Sequence, residues 1–388
     1  MKHYKNSFEG YSPIIGYDHE FLVLDRKGYA FPSTLIFPLQ DSAIIPQGHT
    51  NSCLYTDGRQ AEHGSKSATS CREWNQDNIW WSLKEASRLV DAYNVEHKTH
   101  LAIALCDGAP MRLPAIMKGG RLCMMSGCNP DYDAYKVLPN PGMVNYRRHP
   151  FAYAGAHYHI AWTKETRSEC FANVDDWCNA VKVYDRIAGI PLVLTSSDNK
   201  FNIQRREHYG AAGCHRVPQG RIEWRVPGAD SYRSPALVSL LSWCLRLGYN
   251  VIVNGASKGL LSLISDEEIA TAINTNNRTL AWELYRRMAD TYYYSDNEDS
   301  PFYVLEVPSY LNRNLGKNGG IVPAACFEML AQNIVQIDDN WGKHWDIGVD
   351  SDDWECHGDT ANGFSESMYW MLLGDKEYKK FLLTWETV

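Results

Sequence analysis

The amino-acid sequence predicts an α+β protein whose sheet is largely antiparallel. Short segments in which apolar and polar residues alternate are concentrated before residue 235, and segments with helical periodicity dominate after it. Strands and helices do not alternate regularly along the chain, as they do in proteins built on parallel sheets. We therefore expect residues 1–235 to form a sheet region and residues 236–388 to form a mainly helical region that completes the same unit.

The first expected strand covers residues 13–25, where bulky apolar residues alternate with polar ones. Residues 26–28 carry a turn signal, and residues 29–31 then return as a second strand. The dipeptide of Asp57 and Gly58 marks a turn or a bulge inside the next extended segment. Further strands are expected at residues 51–63, 100–106, 122–125, 153–162 and 221–226.

Residues 76–95 are expected to form an amphipathic helix, because apolar residues recur there at steps of three and four and line one face. Residues 174–188 are expected to form a second helix. Residues 127–150 are rich in Pro, Asn, Asp and Tyr and predict a long ordered loop. Later helices are expected at residues 236–253, 266–273, 279–293, 324–335 and 363–373.

The composition restricts the possible functions. The 388 residues include 38 Lys and Arg against 46 Asp and Glu, which gives a formal net charge of -8 and argues against a surface for duplex nucleic acid. The 11 cysteines are scattered and lack zinc-ribbon spacing, so we expect reduced thiols in a cytoplasm. No signal-like apolar segment and no stretch of roughly 18 apolar residues occurs, so neither secretion nor membrane insertion is expected.

Polar residues recur two apart on several expected strands, and residues with that spacing share one face of a strand. Their neighbours on the opposite face are mostly apolar or aromatic, as with Tyr158 and Trp224. One face of the sheet is therefore expected to carry carboxylates, imidazoles and a guanidinium. The pairs are Asp18 with Glu20, Gln60 with Glu62, His157 with His159, and Glu223 with Arg225.

Such groups must be hydrated, mutually paired or bound to a cation, because burying them alone costs several kcal/mol each. Carboxylate oxygens from different strands suit Mg²⁺, which also binds nucleotide phosphates. The face therefore predicts a nucleotide-dependent enzyme. For any single pair the alternative is a solvated face of an antiparallel sheet, so the prediction depends on the whole set.

A second group of residues lies at 205–216. Gly210 and Gly213 permit close backbone approach or positive φ, while Arg206 and Arg216 supply donors suited to phosphate or carboxylate oxygens. We interpret this segment as a phosphate clamp. The alternative is a basic surface loop that pairs with nearby acids.

Common catalytic signatures are absent from the sequence. There is no GxxxxGK[ST], no GxGxxG after a strand, no HExxH and no GxSxG. These absences argue against P-loop, dinucleotide-binding and nucleophile-elbow hydrolase functions.

Four motifs in order along the chain carry a family resemblance. They are GYDHEF at residues 16–21, GCNPDY at 127–132, GAHYHI at 155–160, and YGAAGCHR with IEWRV within 206–226. In this order they resemble the phage-type COOH-NH2 ligases, an amidoligase group related to glutamine synthetase and glutamate-cysteine ligase. The resemblance covers about residues 11–230, and the series is far more specific than any one motif.

The resemblance implies a curved antiparallel sheet whose concave face binds ATP and Mg²⁺, with an amide bond formed through an acyl phosphate. In the resemblance, matching residues take the family's roles. Amide formation also needs a carboxylate that accepts the proton of the ammonium, a role that Asp18 or Glu223 can fill. The metal ligands would be Glu20, Glu62 and Glu223; the nucleotide-binding residues His157, His159, Tyr209 and Gly210; and the catalytic residues Asp18, Arg206, Arg216 and Arg225.

The expected substrates are a carboxylate and an amine, each a small molecule or part of a peptide, and the expected compartment is the bacterial host cytoplasm if the chain is phage-encoded. The chain departs from the family pattern at Ala156, at residues 151–153 and at Cys214 with His215. Two other functions therefore stay open. One is a phosphotransferase of the guanidino-kinase type, which would need no amine for product formation, and the other is a non-catalytic phage protein, which would not bind Mg-ATP.

Overall fold

A computed structural model describes most of the first 288 residues. It covers residues 14–45, 52–68, 79, 81–125, 131–140, 147, 149–162, 170–196, 200–218, 220–233, 235–253 and 255–288. Helices and antiparallel strands occur together in this part of the chain, which confirms the α+β prediction in its coarse form. The helices expected at 324–335 and 363–373 lie outside the described residues. The curvature of the sheet and the division at residue 235 remain predictions.

The first and fourth strands are the longest, and most of the strands build one large sheet. They are β1 (Ile14–Asp25), β2 (Ala30–Phe31), β3 (Ser52–Asp57), β4 (Gln60–Ala68), β5 (Leu101–Ala104), β6 (Gly108–Pro110), β7 (Tyr132–Asp133), β8 (Leu138–Pro139), β9 (Phe151–Tyr153), β10 (Ala156–Ala161), β11 (Cys214–Arg216) and β12 (Arg221–Trp224).

Ten of these strands form an open antiparallel sheet in the order β3-β4-β1-β10-β12-β11-β7-β8, and β2 and β5 pair with β1 off this path. The remaining strands, β6 and β9, form a separate antiparallel pair. Strand β1 is central because it pairs with β4 and β10 through its first half and with β2 and β5 through its second half. Its side chains therefore occupy the middle of the sheet.

Nine α-helices lie in the described part of the chain. They are α1 (Trp81–His97), α2 (Leu113–Lys118), α3 (Val174–Tyr184), α4 (Ile190–Thr195), α5 (Lys200–His208), α6 (Pro235–Val253), α7 (Ser257–Leu263), α8 (Asp266–Asn274) and α9 (Arg278–Met288). Helices α3 and α8 both begin with a capping box, in which a polar side chain and the residue three positions later satisfy each other's backbone N–H groups. A π-helical turn, Asp185–Gly189, continues α3 into α4.

The core lies between the sheet and the helices. Tyr17 and Phe21 on β1 are fully buried, and Trp224 on β12 packs near Tyr184 of α3, with ring centroids 6.1 Å apart. Full burial of an apolar side chain contributes about 1.5–3 kcal/mol, so this layer supplies much of the stability. The alternate residues of β1 project from the opposite face of the sheet, which leaves Asp18 and Glu20 away from this core.

Asp185 joins the π-helical turn to the sheet. Its carboxylate accepts hydrogen bonds from the Trp224 indole (2.8 Å), the Gly213 backbone N–H (2.6 Å) and the Tyr135 hydroxyl (3.0 Å). Although these bonds oppose it, burial dominates and raises the pKa of Asp185 to about 6. A fully buried carboxyl with three donors fixes α3 against β12.

Two histidines lie on the core face of the sheet. His19 is stacked between Tyr17 and Tyr232, with centroid distances of 4.0 and 4.2 Å, and His63 meets it edge-on. Burial lowers the pKa of His19 well below its usual range and that of His63 to about 3. Both rings are therefore neutral core side chains near neutral pH.

Most predicted strands and helices are found with shifted ends, and some predictions are wrong. Residues 122–125, predicted as a strand, form a 3-10 helix at Leu122–Met124, because a short apolar run does not distinguish a strand from a helical turn. The loop predicted at 127–150 contains β7 and β8. The strand predicted at 153–162 is divided between β9 and β10, which belong to different sheets.

Some helices were not predicted. Helices α4, α5 and α7 lack a long apolar periodicity, and α5 is dominated by polar residues. In the segment predicted at 51–63, the Asp57–Gly58 signal marks the turn between β3 and β4, where Gly58 has φ +65°.

Among the helices that the structure describes, none combines the length and the hydrophobicity that a membrane span needs. Each cysteine of this part of the chain has a free thiol.

Candidate functional site

Strand register brings the predicted polar residues together. Glu20 of β1 is the direct partner of Glu62 on β4, and Asp18 is the partner of His157 on β10. His159 of β10 pairs in turn with Glu223 of β12. Because directly paired residues lie on the same face of an antiparallel sheet, these side chains form one continuous polar surface away from the aromatic core.

A cluster of three carboxylates occupies one end of this surface. Glu20, Asp57 and Glu62 each place a carboxylate oxygen within 4.8 Å of the others. Asp57 was not among the predicted site residues, because in the sequence it stands out only as part of a turn signal. Asp57 is the last residue of β3, two positions beyond Tyr55, the partner of Glu62, and this spacing was the signal that could have found it.

The positive charges of Arg225 and Arg216 offset only part of the negative charge of this carboxylate cluster, since both favour ionised Asp57. At an effective dielectric constant of about 20, two carboxylates at this separation repel by roughly 3 kcal/mol. Burial, followed by the charges of Asp18, Asp57 and Glu20, raises the pKa of Glu62 well above its usual range. Burial and the Glu20 charge raise the pKa of Asp57 to about 6. A bound cation would relieve this repulsion.

The carboxylate cluster fits a divalent cation with a preference for oxygen ligands. Oε2 of Glu20 accepts hydrogen bonds from the Gly155 N–H (2.5 Å) and the Tyr209 hydroxyl (2.9 Å). Oε1 of the same residue is buried and has no hydrogen-bond partner among the described residues. A buried carboxylate oxygen without a donor, beside two further carboxylates, matches the ligand chemistry of Mg²⁺.

Glu223 lies in a different environment from the carboxylate cluster. Its Oε1 accepts a hydrogen bond from Nη1 of Arg225 and lies 3.7 Å from Nη1 of Arg216 and 3.8 Å from Nδ1 of His157. The carboxylate of Asp131 lies 3.5 Å from Nε of Arg225. Glu223 is therefore neutralised by arginines, and its role as a metal ligand stays a prediction.

His157 is a neutral member of this arginine-rich group. Burial, followed by the positive charges of Arg225 and Arg216, lowers the pKa of His157 well below its usual range. Its Nε2 atom is buried and has no hydrogen-bond partner among the described residues. The neutral imidazole of His157 thus keeps one buried ring nitrogen without a hydrogen bond in this part of the chain.

Asp18, His159 and Arg221 form a chain of hydrogen bonds. Nε of Arg221 donates to Nδ1 of His159 (2.8 Å), and Nε2 of His159 lies 2.7 Å from Oδ2 of Asp18. Since arginine is always a donor, Nδ1 of His159 accepts here, and its Nε2–H donates to Asp18. Burial is the largest influence and raises the pKa of Asp18, but the hydrogen bond from His159 and the charges of Arg221 and Arg225 together outweigh burial and leave the pKa below its usual value. Sequence analysis missed Arg221.

The segment interpreted as a phosphate clamp is divided in the structure. Helix α5 carries Arg206 away from the polar surface, and its Nη1 donates to the Ile273 carbonyl and to Oδ1 of Asn276 (3.3 Å). Arg216 lies on β11 beside Glu223, and Tyr209 reaches Glu20. The structure therefore brings Arg216 and Tyr209 to the site and gives Arg206 contacts with the end of α8.

Comparisons with known proteins identify distant likenesses only. No family model matches the chain, and no curated protein matches it. A bifunctional glutathione synthetase from Pasteurella multocida aligns at 12% identity and TM-score 0.38 over 93% of this chain, which spans 52% of that protein's length. A glutamate–cysteine ligase from Francisella tularensis in complex with AMP aligns at 11% identity and TM-score 0.34 over 94% of this chain and 95% of that one. At such scores the likeness decides neither fold nor activity.

Proposed function

We propose that this chain is an ATP- and Mg²⁺-dependent ligase that joins a carboxylate to an amine. The observation that supports this most is the polar face of the sheet. It combines a carboxylate cluster that has an unpartnered buried oxygen with a neighbouring group of arginines and histidines. A cation site beside guanidinium groups suits the transfer of a phosphoryl group.

Glu20, Asp57 and Glu62 would hold Mg²⁺. The positive charge of the ion would offset the negative charge of the nucleotide phosphates. His157, His159, Tyr209 and Gly210 stay assigned to the nucleotide side of the site. Among them, His157 has a buried Nε2 without a hydrogen-bond partner among the described residues, and Gly210 has φ +76°. Glu223 remains a further candidate ligand.

A carboxylate is a poor acyl donor, so its activation must precede amide formation. The substrate carboxylate oxygen attacks the γ-phosphorus of ATP, the bond to the bridging oxygen breaks, and ADP leaves. The amine nitrogen then attacks the carbonyl carbon of the acyl phosphate, and phosphate leaves. Arg216 and Arg225 would stabilise the charge of the transferred phosphoryl group, and Asp18 would accept the proton of the ammonium. Arg206, which lies off this face, would act through helix α5.

The substrate class follows from the charges near the site. Asp18 stays ionised and only partly buried, which suits an amine that arrives as an ammonium, while the arginines suit a carboxylate. Both substrates would be small molecules or exposed groups of a peptide. Bacterial host cytoplasm is the expected compartment for a phage enzyme of this kind.

ATP turnover tests this function. Purified protein would be incubated with Mg-ATP and pooled amino acids, polyamines and small carboxylates, and ADP and phosphate would be followed beside a Glu20→Gln variant. The ligase predicts ADP release that needs both an acid and an amine and is lost in the variant. A phosphorylated product formed without any amine would favour a phosphotransferase instead. The absence of both nucleotide binding and turnover would exclude a catalytic role.

A further inference from the structure

The two oxygens of Glu20 have different surroundings. Oε2 accepts from the Gly155 N–H and the Tyr209 hydroxyl, whereas Oε1 has no donor among the described residues. A carboxylate oxygen that already accepts two hydrogen bonds has little capacity left for a cation. Glu20 can therefore offer a cation one oxygen rather than two.

Glu62 likewise has one carboxylate oxygen bound by a tyrosine hydroxyl. The Tyr55 hydroxyl donates to its Oε1, and Tyr55 is its direct partner in the ladder between β3 and β4. Each glutamate of the carboxylate cluster thus has one oxygen occupied by a tyrosine hydroxyl. The two tyrosines come from unrelated parts of the chain, β3 and the end of α5.

Tyr209 is held in place by its surroundings. The guanidinium of Arg205 lies 5.2 Å from the centre of the Tyr209 ring and is fixed by a 2.5 Å hydrogen bond to the Val226 carbonyl. Gly210 has φ +76°, and a Cβ at this position would collide with Arg205. A side chain at 210 would displace Arg205 and, with it, the ring of Tyr209.

Gly155 is required on the other side of Glu20. A Cβ at Gly155 would lie 2.7 Å from Nε2 of His157 and 3.3 Å from Cε2 of Tyr209. The glycine therefore lets the backbone N–H approach Glu20 while the Tyr209 ring packs against it. The glycine of the GAHYHI motif serves this close approach.

We propose that Tyr209, with Tyr55 as its counterpart at Glu62, is a positioning residue that limits each glutamate to one oxygen and thereby selects Mg²⁺ over Ca²⁺. This inference rests on the proposed function. Mg²⁺ takes six ligands in a strict octahedron and suits carboxylates that give one oxygen each. Ca²⁺ takes six to eight ligands and gains from carboxylates that give both oxygens. A tyrosine hydroxyl on one oxygen of each glutamate therefore disfavours the binding of Ca²⁺ by both oxygens.

Titration calorimetry with MgCl2 and with CaCl2 on the full chain tests the inference. In Tyr209→Phe we expect Mg²⁺ affinity to fall by about tenfold to a hundredfold, the effect of one hydrogen bond to a charged group, while Ca²⁺ affinity holds or rises. Tyr55→Phe is the second variant and should change the Mg²⁺ and Ca²⁺ affinities in the same directions. The matched control is Tyr232→Phe, because the Tyr232 hydroxyl donates to the backbone carbonyl of Glu20 (2.6 Å) and not to its carboxylate.

The outcomes are distinguishable. A lower ratio of Mg²⁺ to Ca²⁺ affinity in both phenylalanine variants, with the ratio unchanged in Tyr232→Phe, supports the inference. Mg²⁺ binding by the unaltered protein with the same ratio in folded Tyr209→Phe and Tyr55→Phe would overturn the inference alone. If the unaltered protein binds no Mg²⁺, the inference and the proposed function both fail. Thermal unfolding without a cation shows whether each variant is folded.

Discussion

Glu20 and Glu62 are direct partners in the ladder between β1 and β4, so their carboxylates meet on one face of the sheet. A directly opposed pair of like charges destabilises an antiparallel sheet unless something binds between them. Asp57 adds a third carboxylate, and Oε1 of Glu20 has no donor among the described residues. The carboxylate cluster is therefore costly for the unliganded protein and suited to a cation.

Replacing Asp57 tests whether it belongs to the cation site. Asp57→Asn keeps the size of the side chain but removes its charge, so Mg²⁺ affinity should fall by at least about tenfold, as it does when groups around other metal sites are removed. Titration calorimetry measures the change. Asp41→Asn, at an exposed position in a 3-10 turn, is the control and should bind as the unaltered protein does. Equal affinities for the two variants would remove Asp57 from the site.

Arg221 is predicted to set the tautomer of His159. In the unaltered protein the donor from Arg221 keeps the proton of His159 on Nε2, facing Asp18. Arg221→Gln replaces a permanent donor by an amide that can also accept, so both tautomers should become populated. Nitrogen-15 chemical shifts of the histidine ring report this directly. Arg112→Gln, at a residue that stacks on Tyr29, should leave the shifts of His159 unchanged. A single unchanged tautomer in Arg221→Gln would contradict the assignment.

Asp185 is predicted to be a large contributor to stability. Asp185→Ala leaves the Trp224 indole, the Gly213 N–H and the Tyr135 hydroxyl without their acceptor, and buried unsatisfied donors cost about 1–3 kcal/mol each. We expect a loss of about 3 kcal/mol or more in the free energy of unfolding, measured with urea. Asp175→Ala, at an exposed residue of the first turn of α3, should cost less than about 1 kcal/mol. Similar losses in the two variants would refute this role.

Asp107 is predicted to make stability depend on pH. Burial, followed by the neighbouring Asp230, raises the pKa of Asp107 to about 8, above its value of about 3.9 in the unfolded chain. The folded state therefore holds the proton more tightly, and this contribution to stability is complete below about pH 4 and is lost as the pH rises to about 8. Asp107→Asn cannot titrate, so the stability of the unaltered protein should fall relative to the variant between these values. Parallel stability curves would show that Asp107 does not carry the dependence.

The polar face could be predicted from the sequence because a strand has a period of two. Asp18 with Glu20 and His157 with His159 needed only that spacing to share a face. Arg206 could not be placed in this way, because its position depends on helix α5, whose polar sequence gives no apolar periodicity. Asp57 was missed because a residue at a strand end reaches the site only through pairing with a neighbouring strand. For Asp57 that neighbour is β4, the other strand of a hairpin, whereas residues 51–63 were predicted as one extended segment.

The role of tyrosines could not be predicted either. The family resemblance implied a nucleotide-binding role for Tyr209, which stays a prediction, but it did not indicate that the Tyr209 hydroxyl donates to Glu20. Aromatic residues are frequent in this chain, and their spacing alone does not identify a hydroxyl that meets a carboxylate 189 positions earlier. The pattern of one strand predicts a face, whereas the contacts across that face depend on the whole fold.

The most direct test is a crystal structure of the protein with Mn²⁺ and a non-hydrolysable ATP analogue, recorded at a wavelength where manganese scatters anomalously. The account predicts an anomalous peak coordinated by Glu20, Asp57 and Glu62, with the analogue's phosphates extending toward Arg216 and Arg225. Manganese is used because it accepts the same oxygen ligands as Mg²⁺. A fully occupied peak elsewhere, or bound nucleotide away from this face, would contradict the central claim.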